Sequence, residues 1–439
     1  MLFGANRHGR TRETPLALLD IGSSKVACLI VSSPSRDAAD AQIGEPLGIR
    51  QLGLGITRSR GIRAGVVSDF AEAEEAIKQA VGEAEAQAGV SVEEVVVAVT
   101  GGRLQSANFA ASAVSAGGTV SGSDIAKVLD AGRVYVEQNG RSLLHLHRLG
   151  YRIDGQGGIR NPRGQPGRKL SVDLNAVSAD SSVMRNIEAL LGRSFLTVSC
   201  LVAAPYASAL AVLTDEDLRD GAVVIDLGAG TTAFAFFSNG LFMHAGCIAL
   251  GGQHITHDIA HAFAIPVNQA ERIKALYGNL VGAMSDEHEF LPSTGNSGET
   301  TGELSVTRAQ LRRVIAPRVD ETLQLVRDRV LASGLCPDGL RRVVLTGGAS
   351  QLAGLVEAAE RHFGCSVRTG SPKLVAGMPR ALATPVLGAV IGLGYAVLVP
   401  GALPQFSQAQ KSLPAGYAGR LGQWFKDSFW DDERPAGAA

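Results

Sequence analysis

The stretch VVIDLGAGTTAFAFF at residues 223–237 decides the fold, because LALLDIGSSKVACLIV at residues 16–31 repeats its pattern. In both stretches two apolar runs flank a short turn that contains Asp, Gly and hydroxyl side chains, a pattern typical of a β-hairpin. A repeat of this kind predicts two related lobes that face each other. The copies align without a gap at Asp20 and Asp226, Gly22 and Gly228, Ala27 and Ala233, and Ser32 and Ser238.

Each hairpin turn carries the groups that a nucleoside triphosphate needs. Glycines let backbone amides approach the phosphates, hydroxyls donate hydrogen bonds to phosphate oxygens, and carboxylates hold hydrated Mg²⁺. One such turn is also compatible with a plain tight hairpin, but two copies in register favour a phosphate site. Asp20 and Asp226 are predicted to lie near the metal and to contact it through the waters of its hydration shell. The predicted phosphate-binding residues are Gly22, Ser23, Ser24 and Lys25 in the first copy and Gly228, Gly230, Thr231 and Thr232 in the second.

Two glycine pairs add candidate ligand-binding residues. Gly251 and Gly252 in ALGGQHIT precede a predicted helix, whose first amides are suited to bind an anion. Gly347 and Gly348, followed by Ala349 in VVLTGGAS, end a predicted strand, and a purine or ribose can approach the backbone closely there. Both segments therefore extend the predicted nucleotide site.

Glu271 and Lys274 lie three residues apart on one face of a predicted helix. They can reach one ligand together, or they can form an ordinary helical ion pair. The sequence contains neither a GxxxxGK[ST] phosphate loop nor a GxGxxG motif that opens a βαβ unit. The nucleotide is therefore expected between the two lobes.

The bulk composition narrows the class of protein. At 439 residues the chain is long enough for two lobes with separate cores. Its formal net charge of −1 argues against a nucleic-acid partner that binds through overall basicity. The five cysteines form no CxxC pair, so reduced thiols are expected instead of a metal site or a disulfide framework.

The longest apolar run, at residues 386–399, is interrupted by glycines and bounded by prolines. It falls short of the ~20 residues needed to span a bilayer, so it predicts a buried helix. Residues 1–14 carry several cations but no apolar segment of signal-peptide length, and are interpreted as a solvated tail. Any membrane contact is therefore expected to be peripheral.

The rest of the chain divides into helical and mixed segments. Residues 69–88 predict a helix, with Asp69 and Glu72 spaced as a capping box. The pattern of residues 91–169 is strand, loop, helix at 123–138, strand and a Gly- and Arg-rich loop, which predicts a small inserted α/β subdomain. The remaining predictions are helices over 254–334 around a polar loop at 285–303, a strand and turn at 342–350, and a linker at 401–418.

The C-terminal segment at residues 420–430 predicts an amphipathic helix that lies on a membrane surface. Its apolar residues form one helical stripe, and indole rings favour the headgroup level of a bilayer. A terminal helix that docks back on the body is the alternative. Few cations are nearby, so apolar burial must supply most of the affinity, and several tails must act together. The predicted membrane contacts are Leu421, Trp424, Phe425, Phe429 and Trp430.

The motifs occur in the order DIGSSKV, VIDLGAGTT, ALGGQHITHDIA, ERIK and VVLTGGASQLAGL. This order resembles the superfamily of actin, heat-shock chaperones and sugar kinases, and is most similar to the FtsA family of bacterial cell-division proteins over nearly all of residues 15–400. The GIRNPRG loop and the C-terminal amphipathic segment are further family details. The resemblance implies an α/β, actin-like (RNase H-like) two-lobed ATPase fold with an inserted small α/β subdomain and a C-terminal amphipathic helix.

The resemblance also implies a division of the chain into domains. The expected parts are a basic tail at 1–14, the first-lobe core at 15–90 and 170–215, the inserted subdomain at 91–169, the second-lobe core at 216–255 and 341–377, a helical subdomain at 256–340, a closing helix of the first lobe at 378–400, a linker at 401–418 and the amphipathic helix at 419–432.

The function that the resemblance implies is that of an adaptor between a membrane and a polymer. Such a protein binds ATP and Mg²⁺, assembles into filaments on the cytoplasmic face of the inner membrane at the division site, and anchors FtsZ polymers of the Z ring there. The acidic C-terminal peptide of FtsZ would bind Arg312, Arg313 and Arg318 in TRAQLRRVIAPRVDE, unless these form a solvated basic helix face. Other division proteins are expected at the inserted subdomain.

The sequence departs from the family pattern at two positions. Ala229 stands where many relatives have Gly, a small change that the site is expected to tolerate. Ala233 stands where many have an acid, so one polar contact to metal or water is missing and ATP hydrolysis is expected to be slow at most.

Two other functions are alternatives to the adaptor. A small-molecule kinase of the same superfamily is one alternative, although no stretch suggests a sugar pocket. A chaperone is the other, although no β-rich substrate domain follows the nucleotide-binding body.

Overall fold

A computed structural model of the chain describes residues 15–32, 49–115, 117–137, 140–294, 300–335 and 339–398. The strands are β1 (Pro15–Ile21), β2 (Lys25–Ser32), β3 (Arg50–Arg58), β4 (Ile62–Arg63), β5 (Val66–Val67), β6 (Glu94–Val99), β7 (Gln105–Val114), β8 (Arg141–Ile153), β9 (Gln156–Ile159), β10 (Lys169–Asp180), β11 (Thr197–Ala203), β12 (Ala222–Leu227), β13 (Thr232–Ser238), β14 (Leu241–Ile248), β15 (Phe290–Thr294), β16 (Thr300–Thr307), β17 (Arg342–Thr346) and β18 (Ser366–Thr369). The α-helices are α1 (Phe70–Ala88), α2 (Gly122–Glu137), α3 (Ser181–Arg193), α4 (Ala204–Val212), α5 (Asp215–Asp220), α6 (Gly252–Phe263), α7 (Val267–Tyr277), α8 (Arg308–Ala332), α9 (Leu355–Phe363) and α10 (Gly388–Leu398).

The first lobe is built on a five-stranded sheet in the order β11-β6-β1-β2-β3. β1 and β2 form an antiparallel hairpin in which Asp20 lies opposite Ala27, and β6 and β11 add parallel strands beyond β1. Both hairpin strands are buried along nearly their whole length, which explains their continuous apolar runs. The hairpin predicted at residues 16–31 is confirmed.

Helix α10 is the buried helix predicted from the apolar run at residues 386–399. It packs so closely on α4 that a Cβ at Gly392 would lie 1.8 Å from the carbonyl oxygen of Ala207. Only glycine fits at this contact, so the interruption of the apolar run has a packing reason. In the part of the chain that the structure describes, no helix is long and apolar enough to cross a membrane.

The second lobe repeats the hairpin of the first. β12 and β13 are antiparallel with Asp226 opposite Ala233, the same register as Asp20 opposite Ala27. β17 and β18 lie parallel beyond β12, and α6, α7, α8 and α9 contribute the buried apolar side chains that cover this lobe. The predicted repeat is therefore a repeat of three-dimensional structure as well as of sequence.

The inserted subdomain consists of β7, β10, β8 and β9 with α2 packed against one face. Its sheet joins that of the second lobe through one pairing, between Gly246 in β14 and Gln105 in β7. Strand pairing shows which sheet the segments near the expected bounds 91 and 169 join. β6 pairs with β1 and β11 in the first lobe, and β10 continues to Asp180 in the inserted sheet. An apolar run predicts a buried strand but does not specify the sheet that the strand joins.

Three segments predicted as loops contain strands. β7 lies in the predicted loop before the helix at 123–138 and pairs with β10. β9 lies in the Gly- and Arg-rich loop and pairs with β8, and the polar loop at 285–303 contains part of the β15–β16 hairpin. These segments are rich in small or polar residues, so their sequences carry no clear apolar periodicity. The helix predicted at 69–88 is confirmed as α1, with the Asp69 side chain accepting hydrogen bonds from the amides of Ala71 and Glu72. The tail at 1–14, the linker and the amphipathic helix lie outside the described residues.

Candidate nucleotide-binding site

A cleft of about 860 Å³ lies between the lobes and is lined by the turns of both hairpins. Two residues that the sequence predicts for this site, Thr232 and Gly251, are not on its walls. The predicted residues that do line the cleft are Asp20, Gly22, Ser23, Ser24, Lys25, Asp226, Gly228, Gly230, Thr231, Gly252, Glu271, Lys274, Gly347, Gly348 and Ala349.

Thr232 and Gly251 support the wall from behind. Thr232 is fully buried, and its Oγ1 donates a hydrogen bond to the carbonyl oxygen of Leu250 at 2.8 Å. The Gly251 amide donates to Nδ1 of His254 at 3.1 Å, and a Cβ at Gly251 would lie 2.6 Å from the carbonyl oxygen of Gly228. Sequence spacing suggested phosphate contacts, but a tertiary hydrogen bond occupies the Thr232 hydroxyl and a local helix-cap hydrogen bond occupies the Gly251 amide.

In the first hairpin, Asp20 forms an ion pair with Lys25 of the same turn. Lys25 Nζ lies 2.7 Å from Oδ2 of Asp20, whose side chain is only 9% exposed. The turn between them is closed by a hydrogen bond from the Gly22 amide to the carbonyl oxygen of Lys25 at 2.9 Å. Ser23 and Ser24 lie in this turn and face the cleft. The first lobe therefore presents an acid whose charge is already compensated.

The second hairpin holds its acid with a serine instead. Ser208 in α4 donates a hydrogen bond from Oγ to Oδ2 of Asp226 at 2.5 Å. Burial raises the pKa of Asp226 to about 6; the Ser208 hydrogen bond opposes this rise, and the Asp20 carboxylate adds to it. The second lobe therefore presents a carboxylate that lacks a full positive partner.

Two glycines allow close contacts of the backbone, one with Asp226 and one with the turn of the first hairpin. Gly347 has a φ of 84°, and a Cβ there would lie 2.3 Å from Oδ1 of Asp226. A Cβ at Gly230 would lie 2.5 Å from Oγ of Ser23 and 3.0 Å from the amide nitrogen of Ala64, both in the first lobe. These positions explain why the sequence has glycine there and show that the two turns are in direct contact.

The opposite wall of the cleft is formed by α6 and α7. Lys274 Nζ lies 2.7 Å from Oε2 of Glu271, and it also donates hydrogen bonds to the carbonyl oxygen of Gly252 at 3.0 Å and to Oγ1 of Thr256 at 2.8 Å. The predicted pair is therefore both an ion pair and part of the cleft wall. Its hydrogen bonds fix the start of α6, whose first residues line the cleft.

The cleft also contains residues that the sequence analysis missed. Arg58, Ser59, Gln253 and Asn268 line it, and Gln253 Nε2 donates a hydrogen bond across the lobes to the carbonyl oxygen of Ser23 at 3.2 Å. Ser208 was missed too, although a serine in the largely apolar, fully buried helix α4 is a detectable signal. Gln253 directly follows Gly252 in ALGGQHIT, where only the glycines were taken as ligand-binding residues, and Arg58, Ser59 and Asn268 belong to no motif.

The acids of the cleft suit a hydrated magnesium ion better than a directly caged metal. Among the described residues, no group of three or more His, Cys, Asp or Glu side chains is placed to hold a metal ion. Mg²⁺ in nucleotide sites is commonly held by one or two carboxylates, with waters and phosphate oxygens completing its coordination. Asp20 and Asp226 supply two carboxylates facing one cleft, so the residues present fit this type of site.

The arginines predicted to bind an acidic peptide are already paired within the chain. Arg312 forms an ion pair with Asp286, and Arg313 lies 2.7 Å from Glu287. Arg318 donates two hydrogen bonds to Asp258, at 2.6 and 3.0 Å. These arginines lie on α8 as predicted, but they do not form an uncompensated basic surface. The predicted membrane contacts, Leu421, Trp424, Phe425, Phe429 and Trp430, lie outside the described residues.

Two lobes that repeat one Asp-Gly hairpin around a shared cleft define an actin-like ATPase fold. A solved structure titled "PilM-PilN type IV pilus biogenesis complex" has the same fold: it is 18% identical, covers 88% of this chain and 100% of its own chain, and superimposes with a TM-score of 0.62. An inserted α/β subdomain interrupts the first lobe.

Sequence comparisons identify the family within this class. The family model "Cell division protein FtsA" matches residues 223–392, and the model "SHS2 domain inserted in FTSA" matches residues 101–178. Cell division protein FtsA of Agrobacterium fabrum is 37% identical over 97% of this chain and 99% of its own length. Cell division protein FtsA of Rhizobium meliloti is 36% identical over 98% of this chain and 100% of its own length. The chain belongs to the FtsA family of cell division proteins.

Proposed function

We propose that this chain is an ATP-binding cell-division protein that assembles at the cytoplasmic face of the inner membrane, anchors FtsZ polymers there and helps recruit later division proteins. The observation that carries the proposal is the cleft, where two Asp-Gly hairpins of an FtsA-family chain face each other. Nucleotide binding between the lobes then controls the shape that a subunit offers to its neighbours.

The cleft residues support ATP with Mg²⁺ as the ligand. The amides and hydroxyls of residues 22–24 and 228–231 would bind the phosphates, and Asp20 and Asp226 would bind the waters of hydrated Mg²⁺. Mg²⁺ supplies positive charge that offsets the phosphates. Ala233 is buried and has no polar group to orient a water molecule. This supports a protein in which ATP binding controls assembly and hydrolysis is slow.

The C-terminal segment is proposed as the membrane anchor, and its deletion tests the whole proposal. With ATP and Mg²⁺, the chain should carry FtsZ polymers into the pellet with liposomes of anionic and zwitterionic lipid. Deletion of residues 420–439 should abolish this pelleting, and Trp424→Glu should weaken it strongly, because a charge cannot enter the apolar layer. Gln423→Glu, on the opposite side of the predicted helix, is the matched control.

Liposome co-sedimentation has two outcomes that would contradict the proposal. Pelleting by the truncated chain would show that another surface binds the membrane. Pelleting of the full chain that leaves FtsZ in solution would remove the anchoring role but leave the membrane role intact.

The acidic peptide of FtsZ is proposed to bind α8 by exchange of ion pairs. The turn Met284–Glu287 covers this face of α8, with Asp286 on Arg312 and Glu287 on Arg313. An acidic peptide must displace these carboxylates, so the internal pairs lower its apparent affinity.

Peptide binding can be measured by fluorescence anisotropy with a labelled acidic FtsZ C-terminal peptide. Arg318→Glu should weaken binding by roughly tenfold or more, because a charge-assisted contact becomes a repulsion. Asp286→Asn should strengthen binding several-fold, since it removes the carboxylate that competes with the peptide for Arg312. Arg329→Glu, exposed in the last turn of α8, is the control. Equal affinities for wild type and Arg318→Glu would remove this surface from the proposal.

A further inference from the structure

The cations that line the cleft differ in whether they have a partner. Lys25 is paired with Asp20 at 2.7 Å, and Lys274 is paired with Glu271 at 2.7 Å. Arg58 also lines the cleft, and among the residues that the structure describes no carboxylate forms an ion pair with it. Of the lysines and arginines that line the cleft among the described residues, Arg58 is therefore the one whose charge is available to a ligand.

The position of Arg58 carries an electrostatic cost that the fold does not offset. Arg58 is the last residue of β3 and lies directly opposite Lys25 in the antiparallel register of β2 and β3. Directly opposed residues project from the same face of a sheet, and two like charges in such a pair destabilise it. The ion pair of Lys25 with Asp20 offsets part of this repulsion, but Arg58 has no such ion pair. An anion in the cleft would compensate the remaining charge.

Hydrogen bonds fix Arg58 at the hairpin end of the cleft. The amide of the next residue, Ser59, donates a hydrogen bond to the carbonyl oxygen of Ser24 at 2.9 Å. Oγ of Ser59 is buried without a partner, and Ser59 also lines the cleft. Arg58 therefore lies beside the turn that is proposed to bind phosphates, and not beside Glu271 and Lys274 on the opposite wall.

We propose that Arg58 binds the terminal phosphate of a nucleoside triphosphate in the cleft and so distinguishes the triphosphate from the diphosphate. This inference rests on the nucleotide site proposed above. A triphosphate carries a terminal phosphate that a diphosphate lacks. The negative charge of this phosphate would compensate the positive charge of Arg58, which has no carboxylate partner. A guanidinium group can donate two parallel hydrogen bonds to one phosphate, which gives direction as well as charge.

Calorimetry with the full chain tests the inference directly. Mg²⁺ with a non-hydrolysable ATP analogue and Mg²⁺ with ADP are titrated into the wild type, Arg58→Gln and Arg58→Lys. Arg58→Gln should weaken the triphosphate analogue by roughly 10- to 100-fold, the loss expected for one charge-assisted contact, and leave ADP affinity unchanged. Arg58→Lys should fall between, because an ammonium keeps the charge but not the two-pronged geometry.

The control is Arg60→Gln, which removes the same charge two residues away at an exposed position that does not line the cleft. It should bind both nucleotides like the wild type. Because Arg58 and Arg60 are exposed, none of the three variants is expected to unfold. Circular dichroism with thermal unfolding checks this.

The outcomes separate this inference from the proposed nucleotide site. If Arg58→Gln weakens both nucleotides equally, or neither, while the wild type binds both, Arg58 does not read the terminal phosphate and the inference fails alone. If the wild type binds neither nucleotide, the proposed nucleotide site fails and the inference fails with it. Loss of affinity for the triphosphate analogue alone supports both.

Discussion

The two Asp-Gly hairpins share a backbone but differ in what surrounds their carboxylates. Each turn is closed by the same hydrogen bond at 2.9 Å, from Gly22 to Lys25 and from Gly228 to Thr231. A lysine stands in one copy where the other has a threonine. Asp20 forms an ion pair with Lys25, whereas Asp226 accepts a hydrogen bond from Ser208 and Lys25 offsets its charge only in part. The repeat preserves geometry while the charge balance differs, so the second lobe is the one that needs a cation from outside.

The largest expected effect concerns the acid without an internal cation. Asp226→Ala should abolish Mg²⁺-dependent ATP binding in calorimetry, because the variant removes the carboxylate proposed to hold hydrated Mg²⁺. Lys25→Thr, which makes the first turn resemble the second, should weaken ATP binding less, since the backbone amides remain. Undiminished binding by Asp226→Ala would overturn the two-hairpin site.

A second prediction sharpens the comparison through stability. At pH 7.5 the carboxylate of Asp226 is charged in a buried site, with a folded-state pKa of about 6 against 3.8 in the unfolded chain. Asp226→Asn should therefore raise the free energy of unfolding of the nucleotide-free protein, by on the order of 3 kcal/mol at most. Asp20→Asn should lower it, because Lys25 loses its partner.

The pH dependence of this difference has a defined sign. Because the folded-state pKa of Asp226 is raised, its protonation stabilises the folded chain at low pH, and this stabilisation is lost as the pH rises from 3.8 through about 6. The gain from Asp226→Asn should thus be full above pH 6 and disappear near pH 4. Urea unfolding at several pH values measures it. A change of the same sign for both asparagine variants would contradict the proposed asymmetry.

The smallest expected effect concerns the serine that supports Asp226. Ser208→Ala removes a donor that lowers the pKa of Asp226, so this pKa should rise above 6 and the pH window of the stability change should move upward. At pH 7.5 the free energy of unfolding of Ser208→Ala should be about 1–3 kcal/mol lower than that of the wild type. Ser199→Ala is the control, because Ser199 is a buried donor in β11 to the carbonyl oxygen of Val95. It should cost stability without moving the pH window.

Much of the fold could be predicted because its signals are local. Both hairpins, α1 with its Asp69 cap and the buried α10 follow from apolar periodicity and turn residues within each segment. β7, β9 and the β15–β16 hairpin were missed because strands of small and polar residues have no clear apolar pattern. The sheet that a strand joins is not a local property: β6 pairs with β1 in the first lobe although the inserted domain follows it directly in the sequence.

The candidate site shows the same limit in its side chains. Glycine and hydroxyl spacing predicted many of the residues that line the cleft, whereas Thr232 and Gly251 lie behind its wall and take part in hydrogen bonds within the chain. Arg58 and Ser208 have no motif, yet one lines the cleft and the other holds Asp226. Arg312, Arg313 and Arg318 suggested a basic surface because their acidic partners are distant in sequence.

The sequence by itself determined that this protein has two lobes, one Asp-Gly hairpin in each, and a ligand expected between them, because a hairpin needs only residues that are adjacent along the chain. Only the tertiary structure decided which charges are compensated. Whether Asp226 meets a lysine or a serine, and whether Arg58 meets a carboxylate, depends on helices and strands that pack together from distant parts of the sequence. Electrostatic energy depends on distance and burial in space, and neither can be read from spacing along the chain.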